Sequence, residues 1–447
     1  MTQAVPTTDV LTVDSITGWY NALKSARHCY VAYSGGLDSH VLLHLVSQLL
    51  PADKITALHI NHQLSPNSSD WAEHCRNICA SLNIPIIVET ATVVAEGEGI
   101  EAAARKARYH CFDKHLQSGD LLLQAHHTDD QVETVLYRLL RGSGVKGLAG
   151  IPQTRGLGEG QLIRPLLPFT RAQLEVYAQS NGLQWIDDES NDDSRFDRNF
   201  LRNELFPLIE QRWPDYRQRI CLSAILASRS AELDQICAEE DLRSLGCRTE
   251  RVGWSIEIYA LLSLSEIRQR NVIRYWIEQH RLPVPGHKIL ETLFTEFLTA
   301  RQDATPLLSW PGAECRRYQQ RLYLLPPSKE ARLETELTVF IPEMTYPLPG
   351  GGTLRTVSAK GEGLRYQSDM QLHMCFRQGG ERCEPAGRGS SNTLKKLFQE
   401  YQLEPWLRDR TPLIYLNGEL AAVGDMWVCE GFQAGENERG LKFEINY

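Results

Sequence analysis

The 447-residue chain contains no C-x-x-C, and its eleven cysteines fall at irregular spacings, with Cys75 and Cys79 the nearest pair. This argues against a zinc site or a disulfide framework, and the cysteines read as thiols in a reducing compartment. No apolar run approaches ~18 residues, so a membrane span is not expected. The first residues lack the basic and apolar segments of a secretory leader. These absences predict a cytoplasmic protein with no membrane partner. Basic charge is not in excess either: the formal net charge is −9, so a nucleic-acid partner would have to dock on local basic surfaces. The G-x-x-x-x-G-K-[ST] phosphate loop is missing, and no internal repeat is present.

What is present, first, is alternation. Apolar runs at 29–33, 55–60, 84–88 and 121–124 are separated by helical patterns at 39–50, 71–82 and 100–116, and another helix is expected over 128–140. Such alternation predicts βαβ units around a parallel sheet. "TRAQLEVYAQSNG" adds a helix with Thr170 as N-cap, Gln173 as its capping-box partner and Gly182 as stop. After Pro214 the pattern turns helical, over 216–245, 262–280 and 287–299, followed by a strand pair around 313–325 and a linker at "LPPSKEA". The remainder reads mostly as strands, with a turn at "LPGGGTL", a hairpin at Asn417-Gly418 and one helix over 393–401. Three domains are expected, at 1–215, 216–330 and 331–447. Their classes are α/β with a doubly wound parallel sheet, mainly helical, and mainly β.

The junction between the first strand and the first long helix carries the most specific chemistry. In "YVAYSGGLDSH" two glycines permit backbone angles that expose successive N–H groups, and the following helix adds its positive end. Ser34, Gly35, Gly36, Leu37, Asp38 and Ser39 thus form a candidate phosphate cradle. Asp38 would repel a phosphate unless a divalent cation lay between them, which points to Mg²⁺ held by carboxylate and phosphate oxygens together. A helix-capping turn is the plain alternative.

A second group follows the fourth strand, in "QAHHTDDQVETVLYRLLRGSG". Asp130, Glu133 and Thr134 share a helix face, and His126 and His127 stand at the strand end. A strand order of 3-2-1-4-5 would bring this segment and the Ser-Gly-Gly loop to one crevice. Glu101, Arg105 and Arg108 lie on one face of the intervening helix, either as a solvated face or as phosphate contacts. Arg195, Arg198 and Arg202 form a modest basic stripe.

These residues resemble a known family. Ser34-Gly35-Gly36-Leu37-Asp38-Ser39 matches the signature of PP-loop (Rossmann-like) ATP pyrophosphatases. Within that superfamily the chain resembles tRNA(Ile)-lysidine synthetases in "EAAARKARY", in "HHTDDQVETVLYRLLRGSG" and in "DESNDDSRFDRNFLRNELFPLI". The C-terminal "FRQGGERCEPAGR" and "LKKLFQEYQLEPWLRDRTPLIYLNGELAAVGDMWV" carry the same resemblance. The resemblance implies a reaction in which ATP adenylates the wobble cytidine of a CAU-anticodon tRNA(Ile) at its C2 oxygen. The ε-amine of free L-lysine then displaces AMP, and the tRNA's identity changes from methionine to isoleucine.

By that analogy ATP and Mg²⁺ are the cofactors, and Asp38 and Asp130 hold the metal. Arg105 reaches a phosphate, and His127 contacts substrate or AMP, whereas His126 either shares that task or packs at the strand end. The base for the lysine amine stays open among Glu133, Asp187 and Asp188, while Asp192 and Asp193 read as a solvated loop. Arg195, Arg198, Arg202, Lys395 and Lys396 become candidate tRNA contacts, and Trp406 is either another or core. A homodimer is kept as a candidate assembly. The competing readings are a tRNA sulfur transferase on the same scaffold, which needs catalytic or cluster-binding cysteines, an amide-forming ligase acting on a small metabolite, and a nucleotide-dependent tRNA binder without turnover.

Overall fold

The residues described by the computed structural model are 6–7, 9–63, 67–93, 100–187, 195, 197–301, 306–327, 338–339, 343–349, 351–367 and 370–447. Within these, the four apolar runs form the expected parallel core: β1 (Cys29–Ala32), β2 (Ile55–Asn61), β3 (Ile86–Thr90) and β4 (Leu121–Leu123). Val31, Ala57, Leu122 and Leu123 are fully buried because helices cover both faces of the sheet. Two further strands, β5 (Thr154–Leu157) and β6 (Gly160–Ile163), complete a sheet of order β3-β2-β1-β4-β6-β5 among the described residues. β6 is parallel to β4 and takes the fifth position, and β5 returns antiparallel at the edge.

Register decides where the site lies. Cys29 of β1 is level with Ile55 of β2 on one side and with Leu121 of β4 on the other. The carboxyl ends of β1 and β4 therefore emerge side by side, at the point where the strand order reverses. The connecting helices are α1 (Tyr20–Ser25), α2 (Leu37–Leu49), α3 (Ser68–Ser81), α4 (Ile100–His115), α5 (Thr128–Leu140), α6 (Val145–Leu148) and α7 (Arg171–Ser180). α7 starts as expected: the Gln173 amide N–H donates to Thr170 Oγ1, and Gln173 Oε1 accepts the Thr170 N–H at 2.7 Å. After it come α8 (Asp197–Phe200), a π-helical turn over Leu201–Leu205, α9 (Phe206–Arg212) and the long α10 (Tyr216–Ser244).

The chain divides into two compact units, Met1–Asp234 and Gln235–Tyr447. The second unit begins with helices, as expected, but the strand pair near 313–325 belongs to a larger antiparallel sheet. That sheet joins Arg248–Thr249, Trp254–Glu257, Arg321–Leu325, Ala313–Tyr318 and Leu307–Trp310 in this order. Its remainder is largely antiparallel sheet. Asn417 and Gly418 have φ of +50° and +88°, the left-handed pair that a tight hairpin requires, and they join Leu413–Leu416 to Glu419–Val423. The "LPPSKEA" linker lies mostly outside the described residues. One cysteine expectation is corrected: Cys383 and Cys429, at a Cα–Cα distance of 6.1 Å, are paired as a disulfide, while the other nine are free. Sequence spacing could not reveal this pair, because 46 residues separate its members. No helix among the described residues is long and apolar enough to cross a membrane.

Candidate active site

The Ser-Gly-Gly loop is shaped from within and pinned from below. Gly35 has φ +89°, and a Cβ there would lie 2.9 Å from both Cys75 Sγ and Ile186 Cδ1, so only glycine fits. The Ser34 amide donates to Ser39 Oγ, and the Ser39 hydroxyl donates to the Gly36 carbonyl. Gly36 caps α2, whose first N–H groups have no partner within the helix and face the carboxyl end of the sheet. Leu37 is buried at its side chain, so it can meet a ligand only through its backbone.

Across the crevice, α5 opens with a capping box in which Asp130 Oδ2 accepts the His127 N–H at 3.0 Å. The His127 ring is 1 % exposed and lies among carboxylates. Its Nε2 is 3.6 Å from Asp38 Oδ2 and 3.5 Å from Asp130 Oδ2, and its Nδ1 is 3.7 Å from Asp129 Oδ2. The two carboxylates expected to share a metal therefore straddle one nitrogen, although 92 positions separate them in the chain. Burial disfavours charge on His127, but Asp130, Asp38 and Asp129 outweigh it and lift its pKa to about 9. The same pairing outweighs burial at Asp130 and holds its carboxyl below the usual range.

Sequence reasoning missed three groups that complete this acidic wall. Asp129 accepts the Arg171 backbone N–H at 2.8 Å and the Arg217 guanidinium at 2.7 Å. Arg171 also reaches Asp38, at 3.7 Å. These partners lie 42 and 88 residues from Asp129, beyond any local pattern.

The two histidines do not share one environment. His127, expected to contact substrate, is enclosed by carboxylates. His126 instead lines a cavity of about 380 Å³ with Arg105, Asp130, Thr134, Arg138 and Arg198. Arg105 stacks over Tyr109 at 5.0 Å from the ring centre, whereas Arg108 turns away to His62. The side chain of Glu101 and the residues Asp188, Asp192 and Asp193 lie outside the described residues. Asp187 accepts the Trp185 indole N–H at 3.1 Å.

Glu133 is 2 % exposed and paired with Arg202 at 2.7 Å. Burial raises the Glu133 pKa against the pull of Arg202. The expected basic stripe is thereby divided: Arg202 pairs with a buried carboxylate, Arg198 lines the cavity, and Arg195 sits in a turn before α8. The π-helical turn at Leu201–Leu205 contains Arg202, a displacement that the helical period does not announce. In the second unit Lys395 and Lys396 are exposed on a short helix, Leu394–Glu400. Trp406 is half-buried, edge-on to Tyr323 and covered by Arg316.

Comparison with known proteins agrees across the whole chain. Residues 10–209 match a family model described as the PP-loop domain. Residues 257–323 match the TilS substrate binding domain, and residues 372–445 the TilS substrate C-terminal domain. The chain is 43% identical to a tRNA(Ile)-lysidine synthase of Coxiella burnetii, covering 98% of this chain and 97% of that one. It is 39% identical to the enzyme of the same name from Alkalilimnicola ehrlichii, covering 96% of each. It is also 40% identical to that of Vibrio cholerae, covering 90% and 91%. Among solved structures, a U34-tRNA thiolase, NcsA, of Methanococcus maripaludis aligns at TM-score 0.38 and 16% identity, over 47% of this chain and 76% of that one.

Proposed function

The chain belongs to the tRNA(Ile)-lysidine synthase family, and from that membership we propose how its residues divide the reaction. The enzyme ligates free L-lysine to the C2 position of the wobble cytidine in the CAU anticodon of tRNA(Ile), consuming ATP and releasing pyrophosphate and AMP. In the first step the cytidine C2 oxygen attacks the α-phosphorus and pyrophosphate leaves. In the second the lysine ε-amine attacks C2, AMP leaves, and the amine gives up a proton.

The observation that carries the residue assignment is the meeting of Asp38 and Asp130 over His127. We assign Ser34, Gly35, Gly36, Leu37, Asp38 and Ser39 to the phosphates, through backbone N–H groups and serine hydroxyls. Asp38 Oδ1 is a buried oxygen with no hydrogen-bond partner, and Asp130 is held ionised, so these two carboxylates would hold a Mg²⁺ ion. Bound there, Mg²⁺ would neutralise charge developing on the leaving pyrophosphate. Arg105 and His126 face the nucleotide, and His127 holds the two carboxylates in place. Glu133 is the candidate base: a buried carboxylate with a raised pKa is suited to take a proton from an ammonium ion. Asp187 is the alternative base.

For the tRNA, Arg195 and Arg198 are assigned to the anticodon backbone, and Lys395 and Lys396 to a second region of the molecule. The exposed Leu222, Leu226 and Leu233 of α10 support a homodimer, which light scattering would decide. Nine free cysteines support a cytoplasmic location. Thiolation is disfavoured because the nearest cysteine, Cys75, is buried beneath Gly35 with its thiol pushed up to about 12. The test combines purified protein, ATP, Mg²⁺, labelled lysine and unmodified CAU-anticodon tRNA(Ile). Label in the RNA is expected, and none with a folded protein would overturn the assignment.

A further inference from the structure

Arg164 is a buried guanidinium with an unusual set of partners. It is 2 % exposed, yet it donates to Gln124 Oε1 at 3.3 Å, to the Pro152 carbonyl at 2.6 Å and to His126 Nδ1 at 3.1 Å. None of these is a carboxylate. Burying a charge without an opposite charge is costly, and burial lowers the Arg164 pKa to about 10. The arrangement is braced by Tyr109, whose hydroxyl donates to the same Gln124 oxygen at 3.2 Å. Tyr109 carries the Arg155 guanidinium 4.5 Å above its ring centre. A chain needing only a filled core could place an apolar residue at position 164 at lower cost.

The chemistry of the contact fixes the state of the histidine. A guanidinium can only donate, so His126 Nδ1 must be the bare, accepting nitrogen. A neutral imidazole then carries its proton on Nε2, the nitrogen across the ring. Burial and the neighbouring arginines outweigh Asp130 and keep the ring neutral, with a pKa of about 4. The ring lines the cavity of about 380 Å³ beside Arg105 and Arg198.

We propose that Arg164 is a positioning residue that locks His126 in its Nε2–H tautomer, so that the cavity presents a fixed hydrogen-bond donor to an acceptor atom of the bound nucleotide. The acceptors available in a cytidine adenylate are the ring nitrogen and oxygens at the reacting carbon and the phosphate oxygens. Each of them gains negative charge in the second step, as the amine adds to C2 and AMP departs. A donor fixed in advance stabilises that charge without reorganisation. This inference rests on the ligase reading for the identity of the nucleotide, but the tautomer itself does not depend on it.

Two measurements test it. The first is ¹⁵N NMR of the substrate-free full chain, with His126 assigned by its disappearance in His126→Gln. The expected spectrum has a bare Nδ1 and a protonated Nε2; a ring protonated on Nδ1, alone or together with Nε2, overturns the proposal. The second compares His126→Gln, whose amide nitrogen replaces Nε2, with His126→Asn, whose amide nitrogen replaces Nδ1. Gln should retain kcat within about tenfold and Asn should lose about 10²-fold, with tRNA affinity little changed in both. Equal losses overturn the proposal. Arg164→Met should mix the tautomers and lower kcat more than it raises KM; if it does not fold, the first two results still decide. Wild-type lysine incorporation is measured alongside, so failure of the ligase reading is seen separately.

Discussion

The adjacent histidines at the end of β4 stand in opposite surroundings, one among carboxylates and one among arginines. On one side, Asp38, Asp129 and Asp130 surround His127 and keep its ring cationic. On the other, Arg105, Arg138 and Arg198 line a cavity with His126 and Asp130, and burial, aided by Arg164 and Arg105, keeps the His126 ring neutral. Burial disfavours charge on both rings, and only at His127 do neighbouring carboxylates outweigh it. The acidic wall suits a divalent cation, and the basic wall suits the phosphates and the electron-rich nucleotide. Two reacting partners of different charge can then meet at the boundary.

Damage to the acidic wall should cost most. Asp130→Asn removes a carboxylate assigned to the metal, and kcat for AMP formation is expected to fall about 10³-fold or more, while tRNA affinity stays within a few-fold by filter binding. Next in size is Arg202→Met, which strands the buried Glu133 carboxylate. Denaturant unfolding should show a loss of about 3–5 kcal/mol, with much of it recovered when Glu133→Gln is added. Gly35→Ala forces a side chain into a left-handed backbone and against Cys75 and Ile186. A loss of about 2 kcal/mol and a raised KM for ATP are expected, and an unchanged KM would separate the loop from the nucleotide. The smallest effect belongs to the basic wall. Arg198→Ala should weaken tRNA binding a few-fold and reduce its salt slope by about one counterion.

The contrast also shows what a sequence exposes. The strands, the Thr170 capping box and the Asn417-Gly418 hairpin were legible because each rests on residues a few positions apart. The tight Ser-Gly-Gly turn into α2 was legible because glycines at a strand–helix junction have few other uses. The charge balance of each wall was not. Arg164 meets His126 across 38 residues, Arg202 meets Glu133 across 69, and Arg217 meets Asp129 across 88. An arginine three or four positions from another reads as a stripe until the fold supplies its partner, which is why Arg202 was grouped with Arg195 and Arg198. The order of His126 and His127 was equally hidden, because strand twist and the capping geometry of α5 decide which ring faces the cavity. In the second unit the short strands escaped for a related reason: Trp254–Glu257 pairs with Arg321–Leu325 far along the chain, and the two-residue strand Arg248–Thr249 forms only against Trp254–Glu257.

The central claim is that two loops distant in sequence act on one metal-bridged triphosphate. A double-mutant cycle on kcat/KM for tRNA-dependent AMP release, using Asp38→Asn, Asp130→Asn and both together, tests it most directly. If the carboxylates serve one ion, the double variant should be about as impaired as the worse single variant, because the second substitution removes a ligand from a site already lost. Losses that multiply would mean that the two carboxylates act independently, and the account would be wrong.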